Sequence, residues 1–341
     1  MTSPVRHPAA VRVRHVRVPF RSPFATAAGT WSARESWIVV MRGADGRLGV
    51  GEAVAADEAA LAAAAEAAEL DLTSPLLSVL GRDGAGVGVN ATLPGLDPMT
   101  TAMAARLAVA AGYRTLKLKA GARDTAGELA IRVASVRDAV GEGIALRLDA
   151  NGTWTLDEAT ARLEALAPYG LQYVEQPMAP AGLAALDDAA ELRRRMGGGA
   201  GVRVAADEAV ASLADARAVL DAGAADVLVV KPARVGGPGV VAEIAALAAA
   251  HGVPVVISSL FETGVGLALG LRCAGLLPDV PGWPAAGRDH GLATADLLVD
   301  DLLVEPLAVD RGRMRVPGGP GSGGLGVALD EAAVARYEVA P

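Results

Sequence analysis

The sequence is short of cysteine, histidine and lysine, and it has no long hydrophobic run. A single cysteine excludes an internal disulfide and a cysteine metal cage, and it favours a reducing cytoplasm. Four scattered histidines show no metal-ligand spacing. The first 21 residues carry five arginines and no apolar segment, so we expect no secretory signal there. A net charge of −8 and the lack of a membrane-length apolar run argue against nucleic acid and membranes as partners.

Lysine accounts for only three of the 31 basic residues: Lys117, Lys119 and Lys231. Arginine cannot lose its proton near neutral pH, whereas a desolvated lysine can. We therefore expect lysine to persist where the chemistry needs an amine that can lose a proton. Chance survival in an arginine-biased composition is the alternative.

Two of these lysines share a strand pattern. Residues 115–119 alternate apolar and polar side chains, which predicts a strand with Lys117 and Lys119 on one face. Two lysines on one face of a buried strand are costly unless that face lines a polar cavity. The pattern therefore indicates a functional site at this strand.

The predicted pattern of strands and helices changes near residue 87. Before it, strands at 11–19, 36–43 and 47–52 form an antiparallel start, with a loop at 21–30 that is either a surface connection or a lid, and a helix follows at 55–82. After it, strands and helices alternate at a period of roughly 25–30 residues. This alternation predicts a (β/α)8 barrel with strands at 86–93, 114–119, 144–149, 171–175, 202–206, 226–230, 254–258 and, as a poorer eighth strand, near 288–293. An open doubly wound sheet is the alternative, but no glycine-rich phosphate turn follows an early strand.

Polar residues recur where the middle strands end. Asp149, Glu175 and Asp207 end the third, fourth and fifth strands, between Lys119 on the second and Lys231 on the sixth. In a barrel these ends are neighbours around one mouth, where active sites lie. A helix N-cap is the alternative role for any one carboxylate, but three in successive units favour a shared site.

Three converging carboxylates repel one another unless a cation neutralises them. Oxygen ligands with open positions suit a hard ion, Mg²⁺ above Ca²⁺ or Mn²⁺. The sequence therefore predicts that Asp149, Glu175 and Asp207 bind Mg²⁺, with Asn151 and Glu208 orienting them.

This arrangement predicts proton abstraction next to a carboxylate. A divalent ion that binds the substrate carboxylate lowers the cost of forming an enolate beside it. A desolvated lysine near another cation can take the α-proton. We expect one lysine to take the proton and the second lysine across the site to act as the opposite-face acid or base, or as a fixed positive charge on the intermediate. Lys117 should favour the neutral form of Lys119 by like-charge repulsion.

The combined motifs resemble the enolase superfamily, muconate-lactonising subgroup, over nearly the whole chain. The resemblance rests on Lys117-x-Lys119, Asp149-x-Asn151, Glu175-Gln176-Pro177, Asp207-Glu208 and Lys231. It implies a modified TIM-type (β/α) barrel at 87–302 and an N-terminal α+β capping domain at 1–86, completed by a return of 303–341. It also implies Asp149, Glu175 and Asp207 as Mg²⁺ ligands and Lys119 as the base, with Lys231 as its partner and Lys117 tuning it. The helical part of the cap is shorter than the subgroup pattern.

Within the subgroup, three stretches resemble those of o-succinylbenzoate synthases: Val87–Pro94, Ser258–Leu267 and His290–Thr294. That implies dehydration of a cyclohexadiene carboxylate in menaquinone synthesis. Ser258, Ser259 and Glu262 either touch substrate or support the strand-seven turn. The oligomeric state stays open.

Other functions stay open from the sequence. The resemblance also leaves open a muconate cycloisomerase or a dipeptide epimerase, which share these site residues. An N-acyl amino acid racemase would use the same site with both lysines exchanging protons, and heavy-water exchange at the α-carbon distinguishes it. A Schiff-base lyase would be trapped by borohydride, but the carboxylates argue against it. A non-catalytic metal scaffold would bind Mg²⁺ without exchanging any α-proton.

Overall fold

The structure is a computed structural model that describes residues 8–26, 29–73, 86–93, 97–121, 124–180, 183–197, 201–283, 288–318 and 324–340. Two units follow one another along the chain: an antiparallel sheet with one helix, then a ring of mainly parallel strands. Among the described residues, no helix is long and apolar enough to cross a membrane.

The N-terminal unit is a three-stranded antiparallel sheet. It contains β1 (Ala10–Thr26), β2 (Gly29–Arg42) and β3 (Leu48–Ala53), in the order β1-β2-β3. Helix α1 (Glu58–Thr73) packs on this sheet. A Cβ added at Gly51 would lie 2.0 Å from the carbonyl oxygen of Ala64. The glycine therefore lets the helix backbone lie directly on β3.

The predicted loop at 21–30 is wrong for its described residues. Both strands continue into it, and Phe24 pairs with Trp31, Ala25 with Thr30 and Thr26 with Gly29. The register shifts between Pro19 and Phe24, so a bulge-like irregularity separates two paired stretches. Small residues and a proline suggested a loop, but pairing with β2 overrides that local preference. Residues 27 and 28 lie outside the described residues.

The barrel strands run parallel in the order predicted from the sequence. Seven of them form one sheet: β5 (Ala91–Leu93), β6 (Thr115–Lys119), β7 (Ala145–Asp149), β8 (Leu171–Glu175), β9 (Val204–Ala206), β10 (Val227–Val230) and β11 (Val255–Ile257).

Short contacts close this sheet into a ring. β4 (Val87–Val89) continues into β5 through Asn90, and it pairs in parallel with β12 (Asp289–His290). A parallel bridge between Ser258 and Gly291 then joins β12 to the end of β11. The closed ring confirms the modified barrel, and the open doubly wound sheet is wrong.

Helices cover the outside of the ring. They are α2 (Pro98–Ala110), α3 (Ala126–Val140), α4 (Leu156–Leu166), α5 (Leu183–Arg195), α6 (Leu213–Asp221), α7 (Pro232–Val235), α8 (Pro238–Ala250) and α9 (Gly264–Gly275). Thr125 and Thr155 form capping boxes with Glu128 and Glu158, which fixes where α3 and α4 begin. Most predicted bounds in the barrel agree with the structure to within two residues. The eighth predicted strand shrinks to β12, and residues 74–82 of the predicted cap helix lie outside the described residues.

The C-terminal segment contacts both units. β14 (Arg313–Met314) pairs with β13 (Val309–Asp310) and with β4 of the barrel, both antiparallel. Helix α10 (Glu331–Tyr337) lies beside β1. There the Arg14 guanidinium donates to the Glu338 carboxylate at 2.7 and 2.9 Å. The predicted domain limits stay a prediction.

Candidate active site

The strand register brings the predicted site residues into one layer at the barrel mouth. Lys119 on β6, Asp149 on β7 and Glu175 on β8 are direct neighbours across the sheet. Asp207 follows β9 directly, and Lys231 follows β10 directly. Because parallel strands end at the same rim, all five side chains meet at one end of the barrel.

Each buried carboxylate is paired with a lysine. Lys119 Nζ lies 2.6 Å from Asp149 Oδ2, and Lys117 Nζ lies 3.1 Å from the same oxygen. Lys117 Nζ also donates to Glu175 Oε1 at 3.0 Å. On the other side, Lys231 Nζ donates to Asp207 Oδ1 at 2.6 Å. All three lysines of the chain therefore lie at this site.

The three lysines differ in how far a small molecule can reach them. The Lys119 side chain is 32% exposed, whereas those of Lys117 and Lys231 are 11% exposed. Lys119 is thus the amine most open to a substrate, and Lys117 is enclosed by its carboxylate partners.

Burial and the lysine charges set the ionisation of this layer. Burial opposes the charged form of Asp149, but Lys117 and Lys119 outweigh it and hold its pKa far below the usual range. Burial likewise opposes the charged form of Asp207, and Lys231 lowers its pKa. For Glu175, burial and then the negative charge of Asp149 raise the pKa to about 8. The two aspartates therefore hold their negative charge against the lysines, whereas burial and Asp149 oppose a negative charge on Glu175.

The donor set fits a hard divalent cation by its chemistry. Asp149, Glu175 and Asp207 supply carboxylate oxygens from three adjacent strand ends, and a divalent cation between them would offset the repulsion between their negative charges. Each of these carboxylates contacts a lysine, and among the described residues no group of three or more aspartate, glutamate, histidine or cysteine side chains forms a ready-made metal site.

Asn151 and Glu208 lie beside this layer. Asn151 Oδ1 accepts from Lys119 Nζ at 3.0 Å, and Asn151 Nδ2 donates to Glu208 Oε1 at 3.2 Å. The prediction placed both residues beside the metal ligands. Their side chains contact Lys119 and each other, and the Asn151 backbone N–H donates to Asp149 Oδ1 at 3.1 Å. The orienting role toward the metal ligands stays a prediction.

Ser258, Ser259 and Glu262 lie in the loop after β11. Ser258 Oγ donates to the Gly291 carbonyl at 3.4 Å, and Ser259 Oγ lies 2.9 Å from the hydroxyl of Thr294. Glu262 Oε2 accepts the Leu260 N–H at 2.6 Å. These contacts support the turn against the strand-eight segment. Substrate contact by the three residues stays a prediction.

The cap reaches this same loop through Glu52. Its carboxylate accepts from Ser36 Oγ at 2.6 Å, from the Thr263 N–H at 3.0 Å and from the Gly266 N–H at 2.9 Å. The last two donors belong to the N-terminal end of α9, where a carboxylate is favourable. The cap thus contacts the barrel rim through a buried carboxylate.

We expect Glu262→Gln to remove part of the pH dependence of stability. Burial, and then the charge of Glu52, raises the pKa of Glu262 to about 7, so the folded protein holds this proton more tightly than the unfolded chain does. The free energy of unfolding therefore falls as the pH rises from about 4.5 to about 7, by on the order of 3 kcal/mol. Glutamine keeps an acceptor for Leu260 and buries no charge.

Urea unfolding at about pH 5 and about pH 8 checks this. The variant should gain stability over the wild type at the higher pH and little at the lower one. Glu164→Gln, at an exposed position of α4, is the matched control. An equal difference from wild type at both pH values would contradict the expectation.

Sequence reasoning missed a buried arginine beneath the layer. Arg147 is fully buried and lies in register with Lys117 and Tyr173. Its guanidinium donates to Asn90 Oδ1 at 3.1 Å and to Gln172 Oε1 at 2.7 Å. Arginine is common in this chain, so the sequence did not distinguish Arg147 from the arginines at the surface.

The scarcity of side-chain amides is a sequence signal that could have pointed to these buried polar residues of the barrel. The chain contains two asparagines and two glutamines, and all four lie on or directly after barrel strands: Asn90, Asn151, Gln172 and Gln176. Gln176 Oε1 accepts the backbone N–H groups of Asp207 and Ala209 at 3.0 and 3.1 Å. The four side-chain amides are thus nearly as rare as the three lysines, and they concentrate in the same part of the barrel.

Comparison with known proteins adds a family and named relatives. Residues 100–333 match the family described as enolase C-terminal domain-like. The o-succinylbenzoate synthase of Thermobifida fusca is 41% identical over 248 residues, which cover 72% of this chain and 69% of that protein. The o-succinylbenzoate synthase of Mycobacterium ulcerans is 39% identical over 66% of this chain, but the match spans less than two thirds of that protein, 62%.

A solved structure matches almost the whole chain. The muconate lactonizing enzyme from Pseudomonas fluorescens superposes with a TM-score of 0.84, covering 98% of this chain and 100% of that one. At 22% identity this likeness shows the fold alone. It includes the N-terminal sheet as well as the barrel.

Proposed function

Because the chain belongs to the enolase C-terminal domain-like family of the enolase superfamily, a family of enzymes, we propose that it is an o-succinylbenzoate synthase. The reaction is the Mg²⁺-dependent dehydration of a cyclohexadiene carboxylate, and we place it in menaquinone synthesis in the cytoplasm. The observation that carries the proposal is the meeting of all three lysines with three buried carboxylates at one barrel mouth. The names of the relatives support the choice of substrate.

The three carboxylates account for binding of the metal ion, which in turn would bind the substrate carboxylate. In this proposal Asp149, Glu175 and Asp207 hold Mg²⁺, or Mn²⁺ in its place. The cation would supply positive charge that offsets the negative charge developing on the substrate carboxylate as the α-proton leaves. Lys117 keeps Glu175 and Asp149 in place from below.

Lys119 accounts for the proton transfers. It is the most exposed of the three amines, and it lies directly beside Asp149. It takes the α-proton from carbon and then gives that proton to the departing hydroxyl, which leaves as water, so the enzyme ends as it began. Lys231, on the opposite side of the carboxylate layer, stabilises the anion by its charge.

A second candidate is an N-succinylamino acid racemase. The position of Lys231 favours it, because β7, β8 and β9 separate this lysine from Lys119 and the two amines thus flank the layer from opposite sides. Racemisation needs one acid–base group on each face of the α-carbon.

An ultraviolet assay with the cyclohexadiene precursor of o-succinylbenzoate tests the proposal. We expect loss of the diene absorbance with Mg²⁺ and none after chelation. If the diene persists with metal present, o-succinylbenzoate synthase is wrong. Exchange of the α-proton of N-succinylamino acids in heavy water would then identify the racemase.

A further inference from the structure

Asn151 connects the exposed lysine to an acidic side chain. It follows Asp149 by two residues, at a backbone φ of 47° that L-residues seldom adopt but that asparagine tolerates best. This turn places the side-chain oxygen Oδ1 of Asn151 3.0 Å from Lys119 Nζ and its side-chain nitrogen Nδ2 3.2 Å from Glu208 Oε1. The three side chains form one hydrogen-bonded chain, Glu208–Asn151–Lys119.

The two ends of this chain fix the direction of the amide. If the Asn151 amide turned over, its NH₂ group would face the Lys119 ammonium and its oxygen would face the Glu208 carboxylate. Both contacts would be repulsive, whereas the observed direction is favourable at both ends. Glu208 Oε2 is buried and has no partner among the described residues, so Asn151 is the side chain that engages this carboxylate.

A neutral acceptor suits a lysine that changes its charge. Lys119 has a second partner, Asp149 Oδ2, at 2.6 Å. In the proposed function Asp149 binds the cation, which competes with this contact. The Asn151 oxygen accepts a hydrogen bond from either the ammonium or the neutral amine, so it can hold Nζ in one place throughout the reaction.

We propose that Asn151 and Glu208 are positioning residues for Lys119: Glu208 locks the direction of the Asn151 amide, and Asn151 holds the lysine nitrogen. This inference rests on the proposed function, because it takes Lys119 as the base. It assigns Glu208 a role toward the lysine rather than toward the cation.

Two substitutions at Glu208 distinguish its proposed effect on the direction of the Asn151 amide from other effects of the side chain. In Glu208→Met the acceptor is gone and the amide can turn, so we expect kcat to fall by about 10–100-fold with little change in KM. In Glu208→Gln the side chain still offers an oxygen to Asn151, so most of kcat should return. Glu164→Met, at an exposed position of α4, is the control for the loss of a glutamate.

A spectroscopic readout follows the amide directly. Protein labelled with ¹⁵N-asparagine carries the label in only two side-chain amides, those of Asn90 and Asn151. Loss of one pair of signals in Asn151→Ala assigns them. We expect Glu208→Met to shift the Asn151 pair and leave the Asn90 pair in place, and Glu208→Gln to shift it much less.

The outcomes distinguish this inference from the proposed function. If the Mg²⁺-loaded wild type dehydrates the diene but Glu208→Met keeps its kcat and its Asn151 signals, the positioning role is wrong and the function stands. Equal loss of kcat in the Gln and Met variants with unmoved signals also overturns the lock. If the wild type does not act on the diene, the proposed function fails, and an unmoved Asn151 pair in Glu208→Met would still contradict the lock.

Discussion

Replacing Lys119 by alanine should abolish turnover while cation binding persists. The variant removes the most exposed amine of the site and leaves Asp149, Glu175 and Asp207 unchanged. Loss of a general base costs about 10²–10⁴-fold in rate, and here the same group also returns the proton, so we expect a loss at the upper end of that range. The diene assay measures turnover, and calorimetry measures Mg²⁺ binding.

Lys119→Arg is the informative companion. Arginine keeps the positive charge and can still contact Asp149, but it cannot act as a base near neutral pH. We therefore expect it to be as inactive as the alanine variant. Near-wild-type turnover in either variant would refute Lys119 as the base and move that role to Lys231.

Replacing Glu175 by glutamine should separate catalysis from stability. Glutamine has nearly the same shape but lacks the negative charge, so we expect Mg²⁺ affinity to fall by about 100-fold and turnover by about 10³-fold. The metal-free fold should hardly change at pH 7, because burial and Asp149 raise the pKa of Glu175 to about 8 and the carboxyl is then mostly neutral. Titration calorimetry, the diene assay and thermal melting check the three parts.

The control for this experiment is an exposed glutamate. Glu164→Gln makes the same chemical change on the surface of α4 and should alter neither binding nor turnover. Wild-type activity in Glu175→Gln would show that the reaction does not use this carboxylate. A large drop in melting temperature would show that the charged form stabilises the fold, contrary to the raised pKa.

The order of barrel elements was predictable because each strand and helix carries its own period. Buried strands such as β10 are continuous apolar runs, and capping boxes mark the starts of α3 and α4. The scarcity of lysine pointed to Lys119 and Lys231 because all three lysines of the chain lie at the barrel mouth. Register then brought Lys119, Asp149 and Glu175 together.

Features set by distant contacts were not predictable. The hairpin at 21–30 depends on pairing across β1 and β2, which overrides its loop-like composition. Asn90 lies between β4 and β5, and its backbone N–H donates to the His290 carbonyl, 200 residues away in sequence. The direct contact of each lysine with a carboxylate also needed three-dimensional distances, since sequence spacing gives the strand but not the partner.

The concentration of lysine at one rim has a practical consequence for covalent labelling. Apart from Lys119, the basic side chains at the surface of the described part of the chain are arginines and histidines, and Lys119 has the only ε-amine with substantial exposure. Amine-directed reagents should therefore bypass the exterior and react at the barrel mouth or at the α-amino group. Acylation should inactivate at about one equivalent, and bound substrate should protect against it. Immobilisation through random amine coupling is consequently a poor choice for this protein, whereas a carboxyl-directed linker would leave the mouth open.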